Sequence, residues 1–258
     1  MLLPRASAIA ARLDVLESTG STNDELRVRA TGPEPWPHLS AVATDNQTAG
    51  RGRLGRVWAA PPGTSLALSV LLRPGLPLDA LGWLPLLAGL AVVRTLRGVG
   101  ADASLKWPND VHIEGRKVCG ILTELLPDAS GVLVGIGVNL TLQEDELPVP
   151  TATSLALAGV PADADAVAAG TLAELRDLVA ALAAAGGDAD ASGVRAAVSG
   201  ACGTLGRSVR VELPSGEVLR GTATGIDGHG RLEVLPEGGP QDAGVTAVSA
   251  GDVTHLRY

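Results

Sequence analysis

Phenylalanine is absent from this 258-residue chain, and aromatic character is confined to four tryptophans and Tyr258. Leucine, valine and alanine must therefore fill the interior, and no series of aromatic platforms exists on which single-stranded bases could stack. Positive charge is also scarce: 20 Lys and Arg face 28 Asp and Glu, a net charge of −8. That balance argues against a general binder of nucleic acid or anionic membrane, which needs a broad basic surface. Only two cysteines occur, Cys119 and Cys202, with neither a pairing pattern nor metal-ligand spacing, which points to a reducing compartment. Long apolar runs are lacking too. The longest, Leu84 to Val93, is too short to span a bilayer, and Pro4, Arg5, Arg12 and Asp14 interrupt any signal-peptide core, so a cytoplasmic protein is expected.

Against this acidic background, Gly50-Arg51-Gly52-Arg53-Leu54-Gly55-Arg56 stands out, with Gln47 before it and Trp58 after it. Its glycines disfavour a helix or a packed strand, which predicts a mobile cationic loop. Backbone N–H groups and guanidinium forks in such a loop suit a multiply charged anion. The segment spells G-x-G-x-x-G, but Pro61-Pro62 forbids the helix that a dinucleotide fingerprint requires, and no Gly-Lys-Ser or Gly-Lys-Thr closes a phosphate loop. A merely solvated charged loop is the alternative.

Taken in order, Leu13 to Leu16 reads as a strand and about Asn23 to Arg29 as a helix, with Thr22 and Glu25 as a capping box. Ser18, Thr19, Ser21 and Asn23 remain as surplus hydrogen-bonding groups where a polar ligand could dock. Ser40 to Thr44 is a buried strand, Ser65 to Leu72 alternates with period two, and Leu78 to Leu96 has helical spacing with Pro85 near its start. In Leu105 to Val111 a proline argues against a central strand, while Glu114-Gly115 turns the chain into a strand from Arg116 to Leu125. Leu133 to Leu140 is a strand whose glycines permit close approach by a neighbour. An apolar stripe defines a helix from about Ala164 to Ala185. From Gly206 onward, five short strands separated by turns suggest a small β-barrel.

Gly-Arg-Gly-Arg-x-Gly-Arg, then Lys106-Trp107-Pro108-Asn109-Asp110, then Gly-Arg-Lys-x-x-Gly-Ile-Leu at 115–122, then Gly-x-Gly-x-Asn at 135–139 resemble, in this order, the biotin protein ligases. With Ser21-Thr22-Asn23 upstream, the resemblance covers roughly residues 13 to 257. It implies an α+β fold: a mixed β-sheet catalytic domain with flanking helices over 1–203, and an SH3-like β-barrel over 204–258. It also implies activation of biotin with ATP and Mg2+ as biotinyl-adenylate, then transfer to a lysine of a biotin carboxyl carrier domain, with no prosthetic group.

Carried over residue by residue, the resemblance places Ser21, Thr22, Asn23, Gln47, Arg51, Gly52, Arg53 and Lys117 around biotin. It places Arg51, Arg53, Arg56, Trp58, Lys106, Asn109 and Asn139 around ATP or the adenylate. Lys117, Arg53 and Asp110 carry the catalytic roles, and either Asp110 or Asn139 orients magnesium. The short stretch before the first strand leaves no room for the DNA-binding domain of some members, so neither nucleic acid nor a membrane is an expected partner, while a homodimer is allowed. A lipoate- or octanoate-attaching relative, or a catalytically silent module that binds nucleotide or carrier, are the alternatives.

Overall fold

Strand β5 (Ser65–Leu72) shows how the chain divides its two faces in the computed structural model, which describes residues 1–213, 215–238 and 244–256. Leu66, Leu68, Val70 and Leu72 enter the main hydrophobic core, whereas Leu71 joins a second cluster with Leu26, Val42 and Leu133. The period-two pattern holds, but all eight residues are buried, because helices cover both sides. On the second side the buried Ser69 hydroxyl meets Thr22 and Asn23 instead of water.

The chain runs α1 (Pro4–Ser7), β1 (Arg12–Val15), α2 (Thr22–Ala30), β2 (Ser40–Thr44), a ribbon of β3 (Gly50–Arg51) and β4 (Val57–Trp58), and then β5. After β5 a 3-10 turn over Leu78–Trp83 leads into α3 (Leu84–Gly98), with Pro85 in the first turn where its missing N–H costs nothing. There follow β6 (Ala103–Lys106), β7 (Asp110–Ile113), β8 (Arg116–Leu125), β9 (Val132–Asn139), α4 (Ala164–Ala184) and α5 (Val194–Ala201). Seven strands form a mixed sheet ordered β1-β2-β5-β9-β8-β7-β6, parallel only between β1 and β2. The proline of 105–111 lies in the turn between β6 and β7, so it breaks no strand, and β6 takes the sheet edge. Residues Leu78–Gly98 are long and apolar enough to cross a membrane by length and composition, yet most of the stretch is buried.

The last five strands, β10 (Ser208–Glu212), β11 (Val218–Ile226), β12 (Leu232–Pro236), β13 (Thr246–Val248) and β14 (Asp252–His255), form an antiparallel sheet ordered β13-β12-β11-β10-β14. Among the described residues no ladder joins β13 to β14, so the expected barrel is an open, SH3-like sheet. Its inner residues, including Val209, Val234 and Val253, belong to the same core cluster as α3 and α4. Polar links reinforce that seam: Trp83 Nε1 donates to the Gly228 carbonyl at 3.0 Å, Trp107 Nε1 to that of Gly230 at 3.0 Å, and Arg195 Nε to that of Ile226 at 2.6 Å.

Two local expectations change, and two helices were not anticipated. The 50–56 segment is not strandless, because β3 and β4 pair as Gly50↔Trp58 and Arg51↔Val57. A Cβ at Gly50 would lie 2.3 Å from the Trp58 carbonyl oxygen, so glycine admits the pairing it was expected to prevent. The capping box does not form: Ser21 is the N-cap and Thr22 is already helical. Finally, α1 and α5 carry no sequence signal strong enough to be read. Short α1 is fixed from a distance, by Asp165 of α4, whose carboxylate accepts from the N–H groups of Arg5 (3.1 Å) and Ala6 (3.0 Å) and from Arg5 Nε (2.9 Å).

Burial alone would raise the Asp165 carboxyl, but those N–H groups and the Arg5 guanidinium outweigh it and hold the pKa below the usual carboxylate range. A depressed carboxyl contributes stability above its unfolded pKa and loses it as pH falls through the folded value. The Asp165→Asn variant is therefore expected to unfold more readily than the parent at pH 7, with the difference shrinking below about pH 4. Urea midpoints at pH 7 and pH 3 measure it; an equal gap at both would refute the assignment.

Candidate active site

Strand β9 turns Gly135 and Gly137 toward α2 and the 50–58 ribbon, and β8 adds Gly120. These glycines receive protein side chains. A Cβ at Gly135 would sit 2.7 Å from Asn23 Oδ1, one at Gly137 2.5 Å from Trp58 Cε2, and one at Gly120 3.0 Å from Trp58 Cζ3. Above this floor lies a cavity of about 840 Å3. Every residue that the family resemblance placed in the site lines it, although the stretches that supply them are far apart along the chain; of the extra hydrogen-bonding groups before the helix, Ser18 and Thr19 are not among its lining residues.

At one end, the turn before α2 is held by Gln47. Its Oε1 accepts from Thr22 N at 2.9 Å and Thr22 Oγ1 at 3.1 Å, doing the capping that Glu25 was expected to do. Glu25 instead accepts from Thr19 Oγ1 and pairs with Arg29. The Ser69 hydroxyl, 2.7 Å from Thr22 Oγ1 and 2.6 Å from Asn23 Oδ1, completes a buried network. Asn23 Nδ2 donates to Glu124 Oε2 at 2.7 Å. Ser69 escaped the sequence reading; its only signal was a hydroxyl in an apolar strand.

In the middle, Lys117 Nζ lies 2.7 Å from Asp110 Oδ1, an ion pair without hydrogen-bond alignment, and 5.8 Å from the Trp58 ring centroid. The Lys117 backbone is fixed by a strap outside the sheet: its N–H donates to the Thr151 carbonyl at 2.7 Å, and its carbonyl accepts from Thr153 N at 2.8 Å. Asn139, buried at the end of β9, donates through Nδ2 to the Thr153 carbonyl at 2.8 Å. Its amide is thus partly committed to the same strap.

The arginines differ in their partners. Arg53 Nη1 donates to Asn109 Oδ1 at 2.9 Å, and Asn109 Nδ2 in turn reaches the Ile121 carbonyl at 2.7 Å. Arg51 is turned toward Asp24 (2.6 Å) and Glu124 (3.2 Å) at the rim. Arg56 pairs with Asp252 of β14, so the ribbon touches the second sheet. Lys106 carries no such partner; burial lowers its pKa, and Asp110 and Asp252 only partly oppose this. Asp252, Arg207 and His255 line the cavity as well and were missed as site residues, since nothing local indicates that the second sheet folds over it; His112, on β7, also lines it and was not named as a site residue because it falls just outside the Lys106–Asp110 motif. Burial, then the nearby Lys106, push His112 and His255 down to about 4, so both imidazoles are neutral at pH 7. Among the described residues no group of three or more His, Cys, Asp or Glu side chains could hold a metal ion.

The arrangement thus joins a hydrogen-bonding turn, a central lysine and a cationic seam in one enclosed site. Residues 15–140 match the biotin/lipoate A/B protein ligase family, and residues 204–256 match the biotin protein ligase C-terminal domain. The chain is 41% identical over 251 residues to the biotin–acetyl-CoA-carboxylase ligase of Mycobacterium tuberculosis, covering 95% of this chain and 90% of that one. In structure it resembles the biotin protein ligase from Aquifex aeolicus in complex with biotin and ATP (TM-score 0.76, 26% identity, 96% of this chain and 100% of that one). It also resembles the Leishmania major biotin protein ligase in complex with biotinyl-5-AMP (TM-score 0.57, 25% identity, 93% and 99% covered). An open sheet appended to a mixed sheet, both family matches and near full-length similarity lead to one conclusion: the chain belongs to the biotin protein ligases, within the biotin/lipoate A/B protein ligase family.

Proposed function

We propose that this chain activates biotin with ATP and transfers it to a lysine of a biotin carboxyl carrier domain. The observation that carries the reading is Lys117, fixed by backbone bonds on both sides and placed in the cavity that the Ser21–Asn23 turn and the arginine ribbon share. In the first step a biotin carboxylate oxygen attacks the α-phosphorus, the bond to the β-phosphate oxygen breaks, and pyrophosphate leaves with the electron pair. Two anions must meet, so the ammonium of Lys117 lowers their repulsion and stabilises charge growing on the α-phosphate.

Hydroxyl and amide groups of Ser21, Thr22, Asn23 and Gln47 suit the ureido donors and acceptor of biotin. Arg53, oriented by Asn109, holds the adenylate, and Arg51 joins it on release from Asp24 and Glu124. In the second step the carrier amine attacks the acyl carbon, AMP leaves, and Asp110, whose Oδ1 lies 2.7 Å from Lys117 Nζ, takes the proton. Magnesium arrives with ATP. Asp110 suits it better than Asn139, whose amide already serves the strap. We assign the two steps to residues 1–203, with 204–258 as an accessory domain, and place the enzyme in the cytoplasm.

Mass spectrometry of an acceptor domain incubated with the chain, biotin and magnesium-ATP tests the whole reading. One biotinyl mass is expected; no added mass overturns it. Lipoyl transfer in place of biotinyl identifies the related activity instead.

A mixed anhydride hydrolyses in water, and the ribbon over residues 50–58 is the cover placed to exclude it. The Arg53→Gly variant is expected to release biotinyl-adenylate into solution, because one charge-assisted contact contributes about 1.5–3 kcal/mol. Filtration followed by quantification of free adenylate measures the leak. Retention equal to the parent's would sink the proposal.

A further inference from the structure

Behind the Ser21–Asn23 turn, a chain of polar side chains carries its hydrogens in one fixed sense. Its outer end is Glu124 on β8, paired with Arg27 at 3.1 Å and Arg51 at 3.2 Å, and a carboxylate only accepts. The Asn23 amide atom that faces it at 2.7 Å is therefore Nδ2, and the Leu122 carbonyl, 3.4 Å from the same nitrogen, agrees. This turns Asn23 Oδ1 toward Ser69. Ser69 has one hydrogen and two oxygen neighbours, and since an amide oxygen cannot donate, that hydrogen goes to Asn23 Oδ1 at 2.6 Å. Ser69 Oγ then accepts from Thr22 Oγ1, 2.7 Å away, which consumes the one hydrogen of the Thr22 hydroxyl. The competing acceptor, Gln47 Oε1, is farther at 3.1 Å and already takes the Thr22 backbone N–H. Ser69, Thr22 and Asn23 are all buried, and a Cβ on Gly135 would come within 2.7 Å of Asn23 Oδ1, so protein walls the network in.

Thr22 lines the cavity, whereas Ser69 is wholly buried behind it. We propose that Ser69 is a positioning residue that fixes the Thr22 hydroxyl as an acceptor, so that the turn selects a ligand ring N–H and rejects a ring oxygen or sulfur at that point. The proposal rests on the ligase reading and deepens it: the substrate class becomes a ring that bears an N–H donor, as a cyclic urea does. A ligand oxygen there would set lone pair against lone pair, and an acyl chain without a donor would leave a desolvated hydroxyl oxygen unanswered. Glu124 acts from the rim as the anchor of this sense, because it alone dictates which way the Asn23 amide faces. In Ser69→Ala the constraint goes. The Thr22 hydrogen then keeps only the longer Gln47 contact, which it can exchange for a ligand acceptor.

Isothermal titration of the full chain tests this with biotin and its two ring carbamates, in each of which one ring N–H is replaced by oxygen. The parent is expected to bind at least one carbamate about tenfold or more weakly than biotin. Ser69→Ala is expected to narrow that gap to about threefold for one carbamate and to leave the other ratio within about twofold of the parent's. A packing defect would weaken all three ligands alike, so two unchanged ratios overturn the proposal, as does a parent that does not discriminate. Thr22→Val spares the Ser69–Asn23 bond and is expected to lose the same discrimination; a valine variant that keeps it overturns the proposal too. In the Thr22→Val background Ser69→Ala is expected to leave both ratios alone, and a further fall would show Ser69 acting by another route and refute its role. The outcome is separable from the ligase assay. Selectivity that narrows in a chain adding no biotinyl mass keeps the relay and loses the ligase reading; active ligation with ratios indifferent to Ser69 does the reverse.

Discussion

Lys117→Met is expected to slow biotin-dependent exchange of pyrophosphate into ATP by about 10²–10³-fold, the range for removing one preorganised donor from a developing oxyanion. Methionine keeps most of the side-chain volume, so the loss is electrostatic. The variant also leaves Asp110, one-fifth exposed, without the ammonium that now lies 2.7 Å away, which adds a negative charge where two anions must already meet. Arginine is not expected to rescue, because a planar fork cannot take the place of a compact ammonium between Asp110 and the Trp58 ring. Exchange assays under saturating biotin and ATP decide the matter. A methionine variant that retains more than a tenth of the parental rate would remove Lys117 from the chemistry.

Trp107→Ala is expected to cost about 3–5 kcal/mol of stability, the usual range for deleting a large buried aromatic. Trp107 is 2% exposed, and it ties the sheets together twice: its backbone N–H donates to Thr204 Oγ1 at 3.1 Å and its indole to the Gly230 carbonyl. Trp107→Phe separates the effects, since it keeps much of the packing but strands the Gly230 carbonyl, at about 1–3 kcal/mol. Urea unfolding measures both. Because Trp107 lies between Lys106 and Asn109, both variants are also expected to weaken ATP. A Trp107→Ala midpoint equal to the parent's would show that the indole does not hold the seam.

What was readable in the sequence and what was not follow from the range of the forces involved. Helix α4 repeats its apolar residues over 21 residues and ends at Gly186-Gly187, and five short strands between turns announce the second sheet, so both were legible. The capping box at Thr22 was a sound local reading that a distant group displaced: Gln47, 25 positions on, bonds the same N–H. Ribbon formation at Gly50 depends on the opposing Trp58 backbone, and glycine's propensity says nothing of it. The cavity residues from the first strand to Asn139 could be gathered because they sit in recurring motifs. Arg207 and Asp252 belong to ordinary strand boundaries, and only the docking of one sheet on the other brings them to the site.

Trp58 lies against Gly137 on β9 and Gly120 on β8, with less room than a Cβ would need at Gly137. The three positions therefore cannot diverge independently. A descendant of this sequence that acquired alanine at 137 would have to shrink or reorient the side chain at 58, and so would lose the aromatic neighbour of Lys117. Among sequences related to this one, the pair of floor glycines and the tryptophan are expected to be kept or exchanged together, as one unit of inheritance drawn from three separate stretches of chain.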